Sequence, residues 1–151
     1  MINVAINGFG RIGRMVLRAG WNDKKINFVA INDLTDTKTL AHLLKYDSTH
    51  GTLQENISHT KDSIIIGKKK ILVFAEKEPE KLPWKNLKVD VIVESTGIFR
   101  TYETAQKHIL AGAKKVILSS PPKDDKIKMY VMGVNNNQIN KWGITILLPI
   151  H

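Results

Sequence analysis

The chain has 151 residues, 42% of them hydrophobic, and a formal charge of +9; that is enough for one domain with a buried core, and the basic excess favours anionic partners. It contains no cysteine, which excludes disulfides, thiolate metal ligands and a cysteine nucleophile within these residues. No apolar run is long enough for a transmembrane helix and the start lacks a signal-peptide pattern, so the chain reads as soluble and cytoplasmic.

The elements in chain order alternate between strand and helix, the signature of a parallel, doubly wound sheet. Residues 2–7 form a first strand that runs into Gly8-Phe9-Gly10-Arg11-Ile12-Gly13. Ile12, Met15, Val16 and Ala19 then recur at helical spacing, with Gly20 as the stop. A second strand covers about residues 26–32, and Asp36 caps a short helix in which Leu40, Leu43 and Leu44 face the sheet. The segment 57–74 breaks the rhythm: Ile64-Ile65-Ile66 and Ile71-Leu72-Val73-Phe74 flank Gly67-Lys68-Lys69-Lys70, which reads as a β-hairpin inserted in the α/β layout. Glu76 to Pro83 is a charged, exposed loop with two prolines. Val89–Val93 is a buried strand ending at Glu94-Ser95-Thr96-Gly97, and Thr101 caps a helix that runs through Ala105 and Ile109 to Gly112. Val116–Leu118, Tyr130–Met132 and Ile144–Leu148 supply three more strands.

The glycine turn is the most informative motif. A strand, a G-x-G-x-x-G turn and a helix form the usual device for holding a dinucleotide pyrophosphate: Gly8 permits the tight turn, Gly10 lets the backbone approach the phosphates, and Gly13 lets the helix pack on the strand. The helix N-terminus offers unpaired N–H groups and a partial positive charge. Asp33 closes the second apolar run twenty residues beyond Gly13, where a ribose-binding acid belongs. The competing reading is a purely structural strand–turn–helix. Gly8–Gly13, Asp33, Ser95–Gly97 and Ser119 all follow the carboxyl ends of separate strands, and in an open parallel sheet that shared edge is where ligands bind.

Other polar residues have plainer readings. The five histidines show no metal-ligand spacing; His108, beside Lys107 on a helix, reads as a surface residue. His50 lies in a polar loop that is either functional or a turn held by Asp47 and Ser48 side chains. Glu94 reads as an acceptor for loop N–H groups, with a general base as the alternative. Trp21, Trp84 and Trp142 follow no stripe and read as packing residues. The lysines fall in short groups (Lys24-Lys25, Lys68-Lys69-Lys70, Lys114-Lys115 and Lys123 to Lys128) without interleaved aromatics, so they read as a solvated basic surface rather than a nucleic-acid site.

Five segments in register, Asn7–Arg14, Ile31-Asn32-Asp33, Leu43–Gly51, Glu94–Phe99 and Val131-Met132-Gly133-Val134-Asn135, resemble the amino-terminal, NAD-binding half of the glyceraldehyde-3-phosphate dehydrogenases. The resemblance implies a Rossmann-type domain over residues 1–147, followed by a divergent tail at 148–151, with NAD as cofactor. It implies that Asn7, Gly8, Gly10 and Gly13 shape the turn and that Arg11 and Ile12 present backbone N–H groups to the pyrophosphate. Asp33 would receive the adenosine ribose hydroxyls and repel a 2′-phosphate, favouring NAD over NADP. Lys77 stands where the family commonly has arginine near the adenine, keeping the charge without the planar fork. Thr96, Gly97 and Phe99 would line the adenine side, and Ser119 would lie towards the nicotinamide.

In the family, the pattern after the last strand continues into the segment that holds the catalytic cysteine; here Leu148-Pro149-Ile150-His151 follows. The expectation is therefore a cofactor domain of a phosphorylating, glycolytic dehydrogenase that is inactive as a separate polypeptide, since the covalent step needs a thiolate. The resemblance also leaves an apolar sheet face open to self-association or to intact dehydrogenase subunits. The competing functions are a basic nucleic-acid-binding protein and a subunit-interaction protein on the same scaffold.

Overall fold

Each apolar run meets the next in the order that the alternation requires. The computed structural model describes residues 1–139 and 143–148; Trp142 and the ending Pro149-Ile150-His151 lie outside them. The elements are β1 (Ile2–Asn7), α1 (Arg11–Gly20), β2 (Ile26–Asn32), α2 (Thr37–Lys45), a short ribbon of β3 (Tyr46–Asp47) and β4 (Gly51–Thr52), then β5 (Ile57–His59), β6 (Ser63–Ile66) and β7 (Lys69–Phe74). They are followed by β8 (Val91–Glu94), α3 (Tyr102–Leu110), β9 (Lys115–Leu118), β10 (Lys128–Val131) and β11 (Gly143–Leu148).

Among the described residues the main sheet has nine strands in the order β10-β11-β9-β8-β1-β2-β7-β6-β5. From β10 to β7 neighbouring strands are parallel, and only β6 and β5 are added antiparallel. The chain winds outward from β1 through β2 to β7, returns to β8 on the other side of β1 and continues to β9, then crosses to β10 at the edge and comes back to insert β11 between β10 and β9. Strand order therefore reverses at β1, and the crevice opens beyond the carboxyl ends of β1 and β8. This is the α/β, doubly wound, mostly parallel architecture expected from the alternation.

The hairpin is less of an insertion than its sequence suggests. Its turn is only Gly67-Lys68, so Lys69 and Lys70 belong to β7, and β7 pairs with β2 as the third parallel strand. β5 adds a further antiparallel strand that the polar residues around it conceal.

Period-two alternation places two cores on opposite faces of the sheet. Val4 and Ile6 of β1 join Leu17, Phe28, Ile31, Leu40 and Leu44 under α1 and α2, while Ala5 joins Trp84, Ile92, Ala105, Val116 and Leu118 under α3. The stripe of α1 is displaced from the expected one: Gly13 and Leu17 are buried, whereas Ile12 is 48% exposed and Ala19 is exposed. The helix lies so close to the sheet that a glycine, not an isoleucine, occupies the contact. In α2, Thr37, Leu40, Ala41 and Leu44 form the buried face at helical spacing, and Leu43 lies beside it, 37% exposed. The 76–83 loop is charged but not wholly exposed. Pro79 and Leu82 are buried as the chain makes a short 3₁₀ turn against the core that holds Trp84.

Capping agrees with the sequence. Asp36 accepts the Thr39 N–H, and Thr101 and Thr104 form a reciprocal capping box. Parallel strands also gather their starts, so Lys25, Lys69, Lys88, Lys114 and Lys128, scattered in sequence, stand at or just before strand starts along the edge opposite the crevice. No helix among the described residues is long and apolar enough to cross a membrane.

Candidate cofactor site

The crevice is a cleft of about 560 Å³ lined by the ends of four parallel strands. Asn7, Gly8 and Gly10 come from the turn after β1, Asn32, Asp33 and Leu34 from the end of β2, Glu76 and Lys77 from beyond β7, and Ser95, Thr96, Ile98 and Phe99 from beyond β8. Residues far apart in sequence meet here because parallel strands end on one edge.

The glycines divide the work as their spacing implies. Gly8 has φ +88°, and a Cβ there would lie 2.7 Å from the Thr96 nitrogen, so the turn and the 95–99 loop touch backbone to backbone. A Cβ on Gly10 would meet nothing within 4 Å, which leaves open space at the mouth of α1 for a ligand to approach the chain. Gly13 does not line the cleft; it lies beneath it, where a Cβ would stand 2.3 Å from the Gly8 carbonyl oxygen.

α1 presents its N-terminus to this space. Gly10 supplies no side-chain cap and the first turn has no acidic residue, so the leading N–H groups, including those of Arg11 and Ile12, compete with no protein carboxylate for an anion. Arg11 and Ile12 are both exposed. Asp33 is pinned from both sides: Oδ2 accepts the Phe9 N–H at 2.8 Å and Oδ1 accepts the Thr35 N–H at 2.9 Å. A carboxylate has about four lone-pair sites, so acceptor capacity remains on each oxygen for hydroxyl donors. Leu34 and Ile98, 61% and 70% exposed, give the cleft apolar edges. Open space over Gly10, an uncapped helix and a carboxylate with spare acceptor sites suit the phosphates and a ribose of a dinucleotide.

Gly97, with φ +75°, lies between the cleft-lining Thr96 and Ile98. Ser119 stands at the end of β9, its N–H donating to the Glu94 carbonyl at 3.0 Å, one strand beyond the side chains that line the cleft.

Beneath the cleft lies a group of residues that single-position reading missed. His108 is not on the surface; it is 0% exposed and wedged between Trp84 and Glu94. Its place on α3 faces the sheet, and its polar partners come from elements distant in sequence. Glu94 accepts the Thr96 N–H at 3.0 Å, as expected of a loop acceptor, but it is also hydrogen-bonded to Asn7 and to His108, each at 2.6 Å. All its bonds are accepted ones within the protein fabric, which fits a structural carboxylate better than a general base. Trp84 is fully buried, as a packing residue should be.

The His50 loop resolves as a turn. Asp47 Oδ1 accepts the N–H groups of Thr49 at 2.8 Å and His50 at 2.7 Å, and these donations, chiefly that of His50, hold the Asp47 carboxyl down at about 2. Its loop is anchored by Arg18, which donates to the carbonyls of Leu44, Lys45 and Gly51.

Residues 2–102 match the family model described as "Glyceraldehyde 3-phosphate dehydrogenase, NAD binding domain". The chain belongs to this family. Similar relatives are the glyceraldehyde-3-phosphate dehydrogenases of Thermotoga maritima, 55% identical over 92% of this chain and 42% of that protein, and of Mycoplasma pneumoniae, 53% identical over 92% and 41%. The cytosolic enzyme of Leishmania mexicana is 50% identical over 90% of this chain and 41% of its own length. The chain thus spans about two fifths of the length of the curated relatives it matches. Residues 2–102 are thus matched to the NAD-binding domain of the family, and NAD is the cofactor of that domain.

Proposed function

We propose that the chain holds NAD in the cleft beyond β1, β2, β7 and β8, as the cofactor domain of a phosphorylating, cytoplasmic glyceraldehyde-3-phosphate dehydrogenase. The N–H groups of Arg11 and Ile12 meet the pyrophosphate over Gly10, with Asn7, Gly8 and Gly13 shaping the turn. Asp33 takes the adenosine ribose hydroxyls and repels a 2′-phosphate. Lys77, Thr96, Gly97 and Phe99 border the adenine, and Ser119 lies towards the nicotinamide. The domain supplies binding and orientation, while NAD when bound accepts a hydride. Oxidation of an aldehyde by covalent catalysis needs a thiolate, and these 151 residues contain no cysteine. As a separate polypeptide the chain therefore binds cofactor without turning over aldehyde; the expected boundary at 147 moves by one residue, because Leu148 pairs with Val131 as the last residue of β11. Association with a second copy or with intact dehydrogenase subunits belongs to the same reading, since Met129, Met132 and Val134 leave apolar side chains exposed around β10; light scattering tests it, and a monodisperse monomer counts against it.

The observation that carries the reading is Asp33, fixed by the backbone of the glycine turn at the edge of a cleft that the turn itself lines. Calorimetric titration with NAD and NADP tests it: saturable NAD binding, weak NADP binding and loss of that preference in Asp33→Asn are expected. Equal affinity for the two cofactors, or no binding by folded protein, overturns it.

The row of lysines at the opposite edge favours a second reading, a surface for the nucleic-acid phosphate backbone. Binding there weakens steeply with salt and is not displaced by NAD; competition between NAD and an oligonucleotide would count against a separate surface.

A further inference from the structure

A continuous line of buried polar side chains runs under the cleft, crossing the sheet from α3 to the loop after β7. The Trp84 indole N–H donates to His108 Nδ1 at 3.0 Å. That fixes the neutral tautomer with its proton on Nε2, which donates to Glu94 Oε2 at 2.6 Å. Asn7 Nδ2 donates to the same oxygen at 2.6 Å, and Asn32 Nδ2 donates to Asn7 Oδ1 at 2.7 Å. Asn32 then pairs with the backbone of Glu76 in both directions, donating to its carbonyl at 2.8 Å and accepting its N–H at 2.9 Å. The other oxygen of Glu94 accepts the N–H and hydroxyl of Thr96 at 3.0 and 2.5 Å. Trp84 and His108 are 0% exposed, Asn7 and Glu94 2%, and Asn32 4%.

The line has a regular relation to the cleft. Asn7, Asn32, Glu76 and Glu94 stand immediately before Gly8, Asp33, Lys77 and Ser95, one from each of the four strand ends that form the walls. Each wall is thus tied to the next at its base, where Asn7, Asn32 and Glu76 form part of the lining and Glu94 lies just outside it. Hydrophobic packing of similar volume would stabilise such a layer about as well, because desolvating polar groups costs roughly what their bonds return. Apolar contacts, however, tolerate sliding. Hydrogen bonds of fixed direction do not, and a fully satisfied network holds one geometry.

We infer that this line is the positioning frame of the cofactor cleft, with His108 as its far anchor: a positioning residue that touches no cofactor and acts through Glu94 on the 95–97 loop and on the glycine turn. The inference rests on the NAD site proposed above. His108 does not line the cleft, so its substitution tests the frame without removing a ligand contact.

The experiment is calorimetric titration of the purified chain with NAD, alongside thermal unfolding, for the parent, His108→Leu, His108→Gln and Asp33→Asn. His108→Leu keeps volume but removes one donor to Glu94 and one acceptor for Trp84; the dissociation constant for NAD should rise about tenfold, the equivalent of one hydrogen bond to a charged group. His108→Gln can offer an amide donor and a carbonyl acceptor, and should stay within about threefold of the parent. NAD binding by His108→Leu equal to the parent, or His108→Gln as weak as His108→Leu, overturns the frame while Asp33→Asn still reports on the site. An inert parent overturns both. If His108→Leu does not fold, Trp84→Phe serves instead: it deletes the indole donor that sets the tautomer, at the cost of some ring volume that thermal unfolding reads, and should weaken NAD about threefold. An unchanged affinity there overturns the proposal as well.

Discussion

Replacing Gly13 by alanine tests how closely α1 approaches β1. The new Cβ would lie 2.3 Å from the Gly8 carbonyl oxygen, 3.0 Å from Ile6 Cγ2 and 3.1 Å from Ser95 Oγ. The first contact is about 1 Å inside ordinary van der Waals separation, and it is made against backbone. The carbonyl cannot retreat without cost. It accepts the Ser95 hydroxyl at 2.7 Å, while the Gly8 N–H is tied to the Asn32 carbonyl at 2.9 Å. The helix must therefore move, and overpacking of this kind costs about 3 kcal/mol. Alanine returns about 1 kcal/mol of helix propensity. The net loss is roughly 2 kcal/mol, a fall in Tm of about 4–8 °C for a domain of this size. Because the leading N–H groups move with the helix, NAD affinity should fall as well. Urea unfolding with an unchanged m-value reads the first effect and calorimetry the second. A variant as stable as its parent, or more stable through propensity alone, would refute the close approach.

The same substitution at Gly10 should behave oppositely. Its Cβ meets nothing within 4 Å, so stability should stay within about 0.5 kcal/mol of the parent while NAD affinity drops at least about tenfold; unfolding curves and titration separate the two, and retained affinity would place the phosphates elsewhere. Thr101→Ala removes the capping box of α3 and should cost about 1 kcal/mol in urea unfolding, with no change at the cleft; a neutral result would show that water replaces the cap. The Asp47 carboxyl titrates lower in the folded chain, at about 2, than the usual 3.8, so its contribution is fully present above pH 4 and disappears as pH falls from about 4 to about 2. Acid unfolding of Asp47→Asn should lack that part of the pH dependence, and identical acid profiles would remove Asp47 from the account.

Much of this could be read from residues whose meaning is local. Gly8 and Gly13 announce a turn because only backbone without Cβ permits the approaches seen there, Gly10 leaves open space between them, and Asp33 follows at the distance set by one helix and one strand. Asp36 and Thr101 signal helix starts by the chemistry of their own side chains. What escaped depends on partners distant in sequence. Lys69 and Lys70 suggest a turn by composition, yet they pair antiparallel with Ile66 and Ile65 of β6 and open the strand whose far end, Leu72–Phe74, lies parallel to β2. Ile12 suits an apolar stripe by spacing, but the closeness of α1 hands the contact to Gly13 and leaves Ile12 out. Leu43 is left at the edge of its helix because Thr37, Leu40, Ala41 and Leu44 take the buried face.

His108 is the clearest case, and it explains why polar residues mislead where apolar ones do not. A buried leucine needs only neighbours of the right volume, so its periodicity announces it. A buried histidine needs a donor on one side and an acceptor on the other, and nothing in the sequence around position 108 supplies either. Trp84 lies 24 residues before it and Glu94 lies 14 before it, on separate elements that meet only once β8 and α3 are packed together. The cost of burying His108 is met by partners assembled in the fold, and the same partners reach Thr96 and Asn7 at the cleft. The residue hardest to place from sequence is thus the one that ends the line, joined to the rest of the site through Glu94. In this chain, the buried polar layer joins the stability of the sheet to the geometry that receives the cofactor.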